Sequence, residues 1–242
     1  MPEIRVVQNL LKHNDEIAAM NRRCLQDAGV FCIDLIGSPG CGKTSLLEAT
    51  LRRLNKRINI GVIAGDLATD RDAQRIQACG AKVVQINTGK GCHLDANQVR
   101  HALDEIGLED LDLLIIENVG NLICPVGFDL GQDAKVGMFS VCEGDDKAAK
   151  HPHLVCAADV LLLNKTDLIQ HVKFHPIVFL EDVEKLNPQL DVFEISVTQP
   201  KIDRWIDWLL AKTRDSQDAN TTLIDDETPA LSGAEKEISD AR

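Results

Sequence analysis

Residues 31–46 read FCIDLIGSPGCGKTSL, and this stretch decides the fold. An apolar run leads into GSPGCGKT at residues 37–44, which matches the phosphate-binding pattern G-x-x-x-x-G-K-S/T, and a helix-like stretch follows. Glycines in such a loop allow backbone N–H groups to point at phosphate oxygens beside the positive end of a helix. The residues expected to contact a nucleotide here are Gly37, Gly40, Cys41, Gly42, Lys43, Thr44 and Ser45.

Two side chains of this loop are expected to take part in phosphate chemistry. The Lys43 ammonium should reach the β- and γ-phosphates, and the Thr44 hydroxyl should ligate Mg²⁺. A glycine-rich turn that precedes Lys-Thr by chance is the alternative. The apolar run before the loop and the helical pattern after it favour the nucleotide site.

Two further apolar runs end in a carboxylate: IGVIAGD ends at Asp66 and LLIIE ends at Glu117. The carboxyl ends of parallel strands lie together at the ligand crevice, so both side chains should face the Mg²⁺ and phosphate region. We expect Asp66 to bind Mg²⁺ and Glu117 to bind the metal or position water, and both to act in catalysis with the loop lysine. Either Asp70 or Asp72 could help to orient the attacking water, and the sequence does not choose between them; a solvated loop carboxylate is the alternative for both.

The choice of base depends on DVLLLNKTDL at residues 159–168, which contains an N-K-x-D motif formed by Asn164, Lys165 and Asp167. A carboxylate at the last position accepts both hydrogens of guanine N1 and N2, whereas adenine would leave it unpaired. These three residues are therefore expected to contact the nucleotide, and the motif favours GTP over ATP.

The remainder of the chain alternates between short apolar runs and helix-like stretches. The apolar runs lie at 30–36, 58–64, 81–86, 111–116, 136–142, 159–163 and 191–196. The clearest helical stretches lie at 43–56, 70–79, 93–106 and 174–186. This order predicts an α/β fold of the P-loop NTPase type, a mostly parallel sheet of about seven strands with helices on both faces.

The sequence pattern divides the chain into three parts. Residues 1–29 are expected to form an amphipathic helix, residues 30–212 the GTPase domain, and residues 213–242 a tail. The tail holds three basic and eight acidic residues, a charge of −5, with sparse apolar residues. Such a composition is typical of a disordered segment.

Composition excludes several functions. The 242 residues include 26 Lys and Arg against 38 Asp and Glu, a net charge of −12, which argues against binding nucleic acid or an anionic membrane. No apolar run approaches the roughly 20 residues of a membrane span, and no secretory signal is recognisable. Eight cysteines at irregular spacings suit free thiols in a reducing compartment, so we expect a cytoplasmic protein.

Three of the sulfur and imidazole side chains form a candidate metal site. Cys92 and His93 are adjacent in NTGKGCHL, and Cys124 lies in ENVGNLICPVG, which begins at Glu117. These two loops follow neighbouring apolar runs, and thiolate with imidazole suits Zn²⁺ or Ni²⁺. Three ligands predict an incomplete site or one shared across a dimer axis. Spacing alone leaves buried, inert thiols as an alternative.

The charged loop EGDDK at residues 143–147 follows another apolar run and should lie near the nucleotide edge of the sheet. Lys147 is therefore expected to contact the nucleotide or a partner subunit. A solvated loop lysine is the alternative interpretation.

The motifs GSPGCGKT, GDLATDRDA, TGKGCHL, LIIENVGNLICP, EGDDK and LLLNKTD occur in one order. Together they resemble the HypB family, GTPases that assist nickel delivery to [NiFe]-hydrogenase, over roughly residues 5–212. The resemblance implies a P-loop GTPase of the dimerising class that also contains UreG. It implies that Cys92, His93 and Cys124 bind Ni²⁺ or Zn²⁺ at a homodimer interface that GTP favours.

The resemblance also implies cofactors and partners: GTP, Mg²⁺ and Ni²⁺ or Zn²⁺, a HypA-type nickel metallochaperone, and the [NiFe]-hydrogenase large subunit precursor. Some members carry a Cys-rich or His-rich nickel-binding stretch near the N-terminus. This chain begins MPEIRVVQNLL, so we expect no nickel storage role.

Other functions remain open at this stage. A maturation GTPase for another nickel enzyme, such as urease, is the nearest, but UreG-like proteins have a proline between Cys and His, whereas Cys92 and His93 are adjacent. A metal-binding protein with vestigial hydrolysis is a second alternative, and the intact Lys43 and Thr44 argue against it. A regulatory GTPase whose cysteines are inert is a third.

Overall fold

Seven parallel strands form one sheet in this structure, a computed structural model that describes residues 6–54, 56–66, 71–89, 91–199 and 201–226. The strands are Phe31–Gly37 (β1), Ile60–Asp66 (β2), Lys82–Asn87 (β3), Leu113–Glu117 (β4), Ala134–Ser140 (β5), Val160–Asn164 (β6) and Asp191–Glu194 (β7). Their order across the sheet is β3-β2-β4-β1-β5-β6-β7. The predicted parallel sheet of about seven strands is confirmed.

Helices connect these strands. They are Val6–Asp27 (α1), Lys43–Leu54 (α2), Arg71–Gln77 (α3), Ala96–Ile106 (α4), Lys147–Lys150 (α5), Pro152–Ala157 (α6), Pro176–Leu186 (α7) and Asp203–Asp226 (α8). Three-residue to six-residue 3-10 turns lie at Cys124–Gly127, Val141–Glu143 and Thr166–His171. The sequence pattern did not predict these turns, because one or two turns are too short to show a helical period.

The central strand β1 is buried on both faces of the sheet, at all seven positions. Phe31, Ile33 and Leu35 lie in a core cluster with α2 and α8. Cys32 lies on the opposite face, in a second cluster with α1 and α4. This alternation with a period of two is the strand geometry, and it confirms helices on both faces.

Helix α1 packs on the sheet through polar as well as apolar side chains. The buried Asn21 side chain donates to the carbonyl of Ala96 at 2.8 Å and to that of Leu130 at 3.0 Å. Arg22 forms two hydrogen bonds with the Asp129 carboxylate at 2.8 and 2.9 Å. The predicted N-terminal helix is thus fixed to the start of α4 and to the loop before β5.

Helix α8 continues past the boundary expected at residue 212. Residues 213–226 are helical, whereas composition predicted a disordered tail from residue 213. The helix is supported there because Thr213 is buried and the Gln217 amide donates to Asp112 at 2.6 Å. Residues 227–242 lie outside the described part.

Among the residues that the structure describes, every helix is too short or too polar to cross a lipid bilayer.

A carboxylic acid lies inside the sheet. Asp34, in the middle of β1, is fully buried, and burial raises its pKa to about 7. One oxygen accepts a hydrogen bond from the Asn118 side chain at 3.0 Å, and the other has no hydrogen-bond partner among the described residues. Desolvation of the charged form therefore outweighs this single hydrogen bond.

We expect Asp34→Asn to stabilise the protein increasingly as pH rises. The folded pKa is above the unfolded value of 3.8, so the wild type loses stability between about pH 4 and about pH 7 and no further above that. From about pH 5 to about pH 8 the gain of the variant should grow by roughly 2–3 kcal/mol. Urea unfolding at both pH values measures this. A gain equal at both pH values, or matched by the exposed control Asp15→Asn, would contradict the prediction.

Candidate functional site

The phosphate-binding loop connects β1 to α2 at the carboxyl edge of the sheet. Gly40 and Gly42 have φ of +75° and +109°, a backbone conformation that favours glycine. The Lys43 side chain is buried and donates to the carbonyl of Gly37 at 3.0 Å and to that of Ser38 at 3.3 Å. The ammonium is therefore held against the loop that a phosphate would enter.

This loop borders a cavity of about 430 Å³ between the ends of β2 and β4. Such a volume is in the range of small-molecule and cofactor sites. The residues predicted to bind nucleotide that line it are Gly40, Gly42, Lys43, Thr44, Ser45 and Lys165.

The structure brings two predicted Mg²⁺ ligands together. The Thr44 hydroxyl donates to the Glu117 carboxylate at 2.8 Å, and Glu117 is buried at the cavity wall. Hydroxyl and carboxylate oxygens are the ligands that Mg²⁺ prefers, so this pair fits the ion. Asp66 ends β2 beside β4, but its side chain, that of Asp72 and all of Asp70 lie outside the described residues. Their roles stay predictions.

The N-K-x-D loop supports the phosphate-binding loop. The buried Asn164 amide donates to the carbonyl of Cys41 at 2.8 Å, and the Lys165 ammonium donates to that of Gly40 at 2.7 Å. Lys165 has φ of +61° and is the only non-glycine among the described residues in the left-handed region. Two residues predicted to contact the nucleotide thus hold backbone carbonyls of the loop.

Asp167 is the residue of this motif that is predicted to recognise a base. Its carboxylate accepts from the Ser196 hydroxyl at 2.6 Å and from the Thr198 hydroxyl at 2.8 Å. These hydrogen bonds, that of Ser196 first, lower the pKa of Asp167 and keep it ionised. Ser196 and Thr198 were not predicted as site residues. The available signal was the position of this segment directly after β7, which lies beside β6 in the sheet.

The loop after β5 also contacts the phosphate-binding loop. The Ser38 hydroxyl donates to one Glu143 oxygen, and the other accepts from the Ser140 backbone at 2.8 Å. The Lys147 ammonium lies 3.5 Å from the same carboxylate, so the predicted site residue is next to this contact. Glu143 was missed by sequence reasoning, although the S-x-x-E capping pattern at residues 140–143 was visible.

The predicted Cys/His cluster forms within one chain. The ligand atoms of Cys92, His93 and Cys124 all lie within 4.8 Å of one another, and the Cys92 sulfur is 3.4 Å from Nδ1 of His93. The His93 ring packs on Phe128, with 3.9 Å between ring centroids. Two thiols and an imidazole at these distances can bind a zinc or nickel ion.

Lys135 of β5 fixes the segment that follows Cys124. Its ammonium donates to the carbonyl of Val126 at 2.8 Å and to that of Phe128 at 3.0 Å. The 3-10 turn and the ring that packs on His93 are thereby attached to the sheet. The sequence carried no signal for this contact, because the lysine lies in an otherwise ordinary strand.

The pKa values of two residues of the cluster, Cys92 and His93, are shifted from their ordinary values. A hydrogen bond with Cys124, followed by burial, raises the pKa of the Cys92 thiol. Burial lowers the pKa of His93, so its imidazole is neutral at pH 7. The imidazole is thus ready to bind a metal, whereas a thiol must first lose its proton.

Comparison with known proteins places this fold and site in one class. The sequence profile of the family described as CobW/HypB/UreG, nucleotide-binding domain, matches residues 31–194. This region runs from β1 to the last residue of β7 and includes the phosphate-binding loop, the Cys/His cluster and the N-K-x-D loop. The chain is therefore a P-loop NTPase of the CobW/HypB/UreG class.

Comparison with individual relatives identifies the family within this class. The hydrogenase maturation factor HypB of Azotobacter vinelandii is 47% identical over 209 residues, covering 85% of this chain and 68% of the relative. HypB from Archaeoglobus fulgidus matches in structure with a TM-score of 0.79 and 39% identity, over 84% of this chain and 100% of that one. HypB from Helicobacter pylori, solved in complex with nickel, matches in structure with a TM-score of 0.79 and 36% identity, over 85% of this chain and 97% of that one. The chain belongs to the HypB family of hydrogenase maturation factors.

We expect Zn²⁺ binding to this cluster at about pH 7 to release about two protons, because each thiol binds as a thiolate. Isothermal titration calorimetry in buffers of different ionisation enthalpy measures this number. Cys92→Ser should release fewer protons and bind Zn²⁺ more weakly. The control Cys156→Ser removes an exposed thiol outside the cluster and should match the wild type. Proton release unchanged in Cys92→Ser would contradict the assignment.

Proposed function

We propose that this protein is a GTP-hydrolysing metallochaperone that assists nickel insertion into [NiFe]-hydrogenase. The observation that carries the proposal is the position of Glu117 and Cys124 on one loop. Glu117 contacts the phosphate-binding loop through Thr44, and Cys124 belongs to the Cys/His cluster. One short segment thus connects a nucleotide site to a metal site.

The preference for GTP rests on Asp167. Its two hydroxyl donors stabilise the ionised carboxylate, which can then accept the N1 and N2 hydrogens of guanine. Adenine offers no such pair of donors, so its binding would lack both hydrogen bonds from the base to this carboxylate. Asn164 and Lys165 contribute indirectly, because they hold the phosphate-binding loop in place.

Hydrolysis on this site proceeds by positioning and charge neutralisation. When nucleotide binds, the Lys43 ammonium leaves the loop carbonyls to which it donates and contacts the β- and γ-phosphates instead. The oxygens of Thr44, Asp66 and Glu117 would hold Mg²⁺, which supplies further neutralisation of phosphate charge. Either Asp70 or Asp72 orients the attacking water.

The cargo metal, Ni²⁺ or Zn²⁺, is bound by Cys92, His93 and Cys124. The nickel complex of the H. pylori relative supports nickel as the cargo. Three ligands leave positions open for water or for a second copy of the chain. Ile123, next to the cluster, is 70% exposed, and an apolar side chain at such a position favours contact with another protein surface.

The partners in this proposal are three. A second copy of the chain joins in a GTP-dependent homodimer over the cluster. A HypA-type nickel metallochaperone exchanges metal with it, and the [NiFe]-hydrogenase large subunit precursor receives the metal. Membership of the HypB family of hydrogenase maturation factors supports this assignment.

We expect the nucleotide state to change the Ni²⁺ affinity of the protein at least about fivefold, since coupled sites typically differ by that much or more. Titration of Ni²⁺ with GDP and with a non-hydrolysable GTP analogue, beside measurement of the dimer fraction, tests this. Cys124→Ser should weaken binding in both states, and Cys156→Ser should not. Equal affinities with an unchanged dimer fraction would refute the proposed coupling.

Asp167→Asn should change the base preference from guanine to xanthine. The amide oxygen can accept N1–H, and the amide nitrogen can donate to the xanthine 2-carbonyl, where guanine presents a second donor. We expect GTP affinity to fall by about 100-fold or more and XTP affinity to rise. Competition binding with GTP, XTP and ATP measures this. The exposed control Asp110→Asn should keep the wild-type preference, and an unchanged preference in Asp167→Asn would count against the guanine assignment.

A further inference from the structure

Two asparagines of the loop after β4 bind the segment that carries Cys92 and His93. The Asn121 amide nitrogen donates to the carbonyl of Cys92 at 3.2 Å. The Asn118 amide oxygen accepts from the backbone N–H of Leu94 at 3.1 Å. His93 lies between these two contacts, so its backbone is held on both sides.

Asn118 has a fixed orientation inside the protein. It is 1% exposed, its oxygen also accepts from the Val119 N–H at 3.0 Å, and its nitrogen donates to Asp34 at 3.0 Å. A backbone N–H requires the amide oxygen, which leaves the nitrogen for the Asp34 carboxyl group. One side chain therefore joins β1, the end of β4 and the segment at residues 92–94.

Asn121 joins the two ligand-bearing loops more directly. Its nitrogen contacts the carbonyl of Cys92, and its oxygen accepts from the N–H of Ile123 at 2.9 Å. The second contact forms the turn that leads into Cys124. The distance between the sulfur ligands thus depends on this side chain as well as on the backbone.

The nucleotide site adjoins the same loop. Glu117 accepts a hydrogen bond from the Thr44 hydroxyl and directly precedes Asn118 in the chain. Thr44 and Glu117 are predicted to turn to Mg²⁺ and phosphate when nucleotide binds. A shift of the Glu117 backbone in that step would displace Asn118 and, through its hydrogen bond with Leu94, the segment that carries Cys92 and His93.

We propose that Asn118 and Asn121 are positioning residues for the metal cluster, and that they transmit the nucleotide state to Cys92 and His93. This inference rests on the function proposed above. It adds a second connection to the one through Cys124, so that both ligand-bearing loops respond to the nucleotide.

The experiment compares wild type, Asn121→Ala, Asn118→Ala and a matched control. Asn187→Ala is the control, because Asn187 also donates to a distant carbonyl, that of Val155 at 3.2 Å, and accepts from the N–H two residues on, at 3.4 Å. Ni²⁺ is titrated with GDP and with a GTP analogue, and the thiolate-to-nickel absorption band is recorded.

We expect Asn121→Ala and Asn118→Ala to weaken Ni²⁺ binding about tenfold or more, as removal of supporting contacts around metal ligands does. Their absorption band should shift, and the affinity ratio between nucleotide states should move toward one. Nucleotide affinity should stay near the wild-type value in Asn121→Ala. Asn187→Ala should match the wild type in Ni²⁺ affinity, in the absorption band, in the affinity ratio between nucleotide states and in nucleotide affinity. Since Asn118 is buried, Asn121→Ala decides the result where Asn118→Ala does not fold.

The outcomes separate this inference from the proposed function. A wild type that binds Ni²⁺ with nucleotide-dependent affinity, and an Asn121→Ala variant with the same affinity, band and ratio, would overturn the positioning role alone. A wild type whose Ni²⁺ binding does not depend on Cys92 would overturn both.

Discussion

The hydrogen bond from Thr44 to Glu117 is the contact on which the arrangement of the site depends. It joins the phosphate-binding loop, which follows β1, to the loop that follows β4, and these strands are neighbours in the sheet. Since every strand is parallel, all strand ends that carry functional loops lie at one edge. The proposed coupling between the phosphates and the Cys/His cluster would therefore need only a few covalent bonds and hydrogen bonds.

The sequence predicted those parts of the site whose chemistry is local. The phosphate-binding loop and the seven strands follow from adjacent residues and from the strand pattern. The Cys/His cluster joins two separate loops, and its metal role was predicted mainly from the resemblance to the HypB family. Ser196, Glu143 and the two asparagines were missed as site residues because their partners are distant in sequence. The prediction of a disordered tail was wrong for residues 213–226, which continue helix α8. The composition of a segment shows neither the helix that it continues nor contacts such as those of Thr213 and Gln217.

The N-K-x-D motif illustrates how one motif can serve two purposes. A loop that turns its N–H groups toward phosphate must turn some carbonyls away, and buried carbonyls need donors. Asn164 supplies such a donor to the carbonyl of the buried Cys41, and Lys165 donates to the carbonyl of the exposed Gly40, so both residues of the motif hold the phosphate-binding loop. In the proposed function, base recognition is the role of Asp167, and the two hydroxyls that hold its carboxylate come from the segment after the neighbouring strand β7.

The two ends of the loop from Glu117 to Cys124 offer ligands for different metal ions. Carboxylate and hydroxyl oxygens at one end suit Mg²⁺, and sulfur with imidazole nitrogen at the other suits nickel or zinc. Neither end offers the ligands that the other ion prefers, so in the proposed function the two ions would not compete for one site. The asparagines between them bind no metal in this scheme, because their amides are engaged in hydrogen bonds to the protein. This is the property required of a connection that reports the state of one ion to the other.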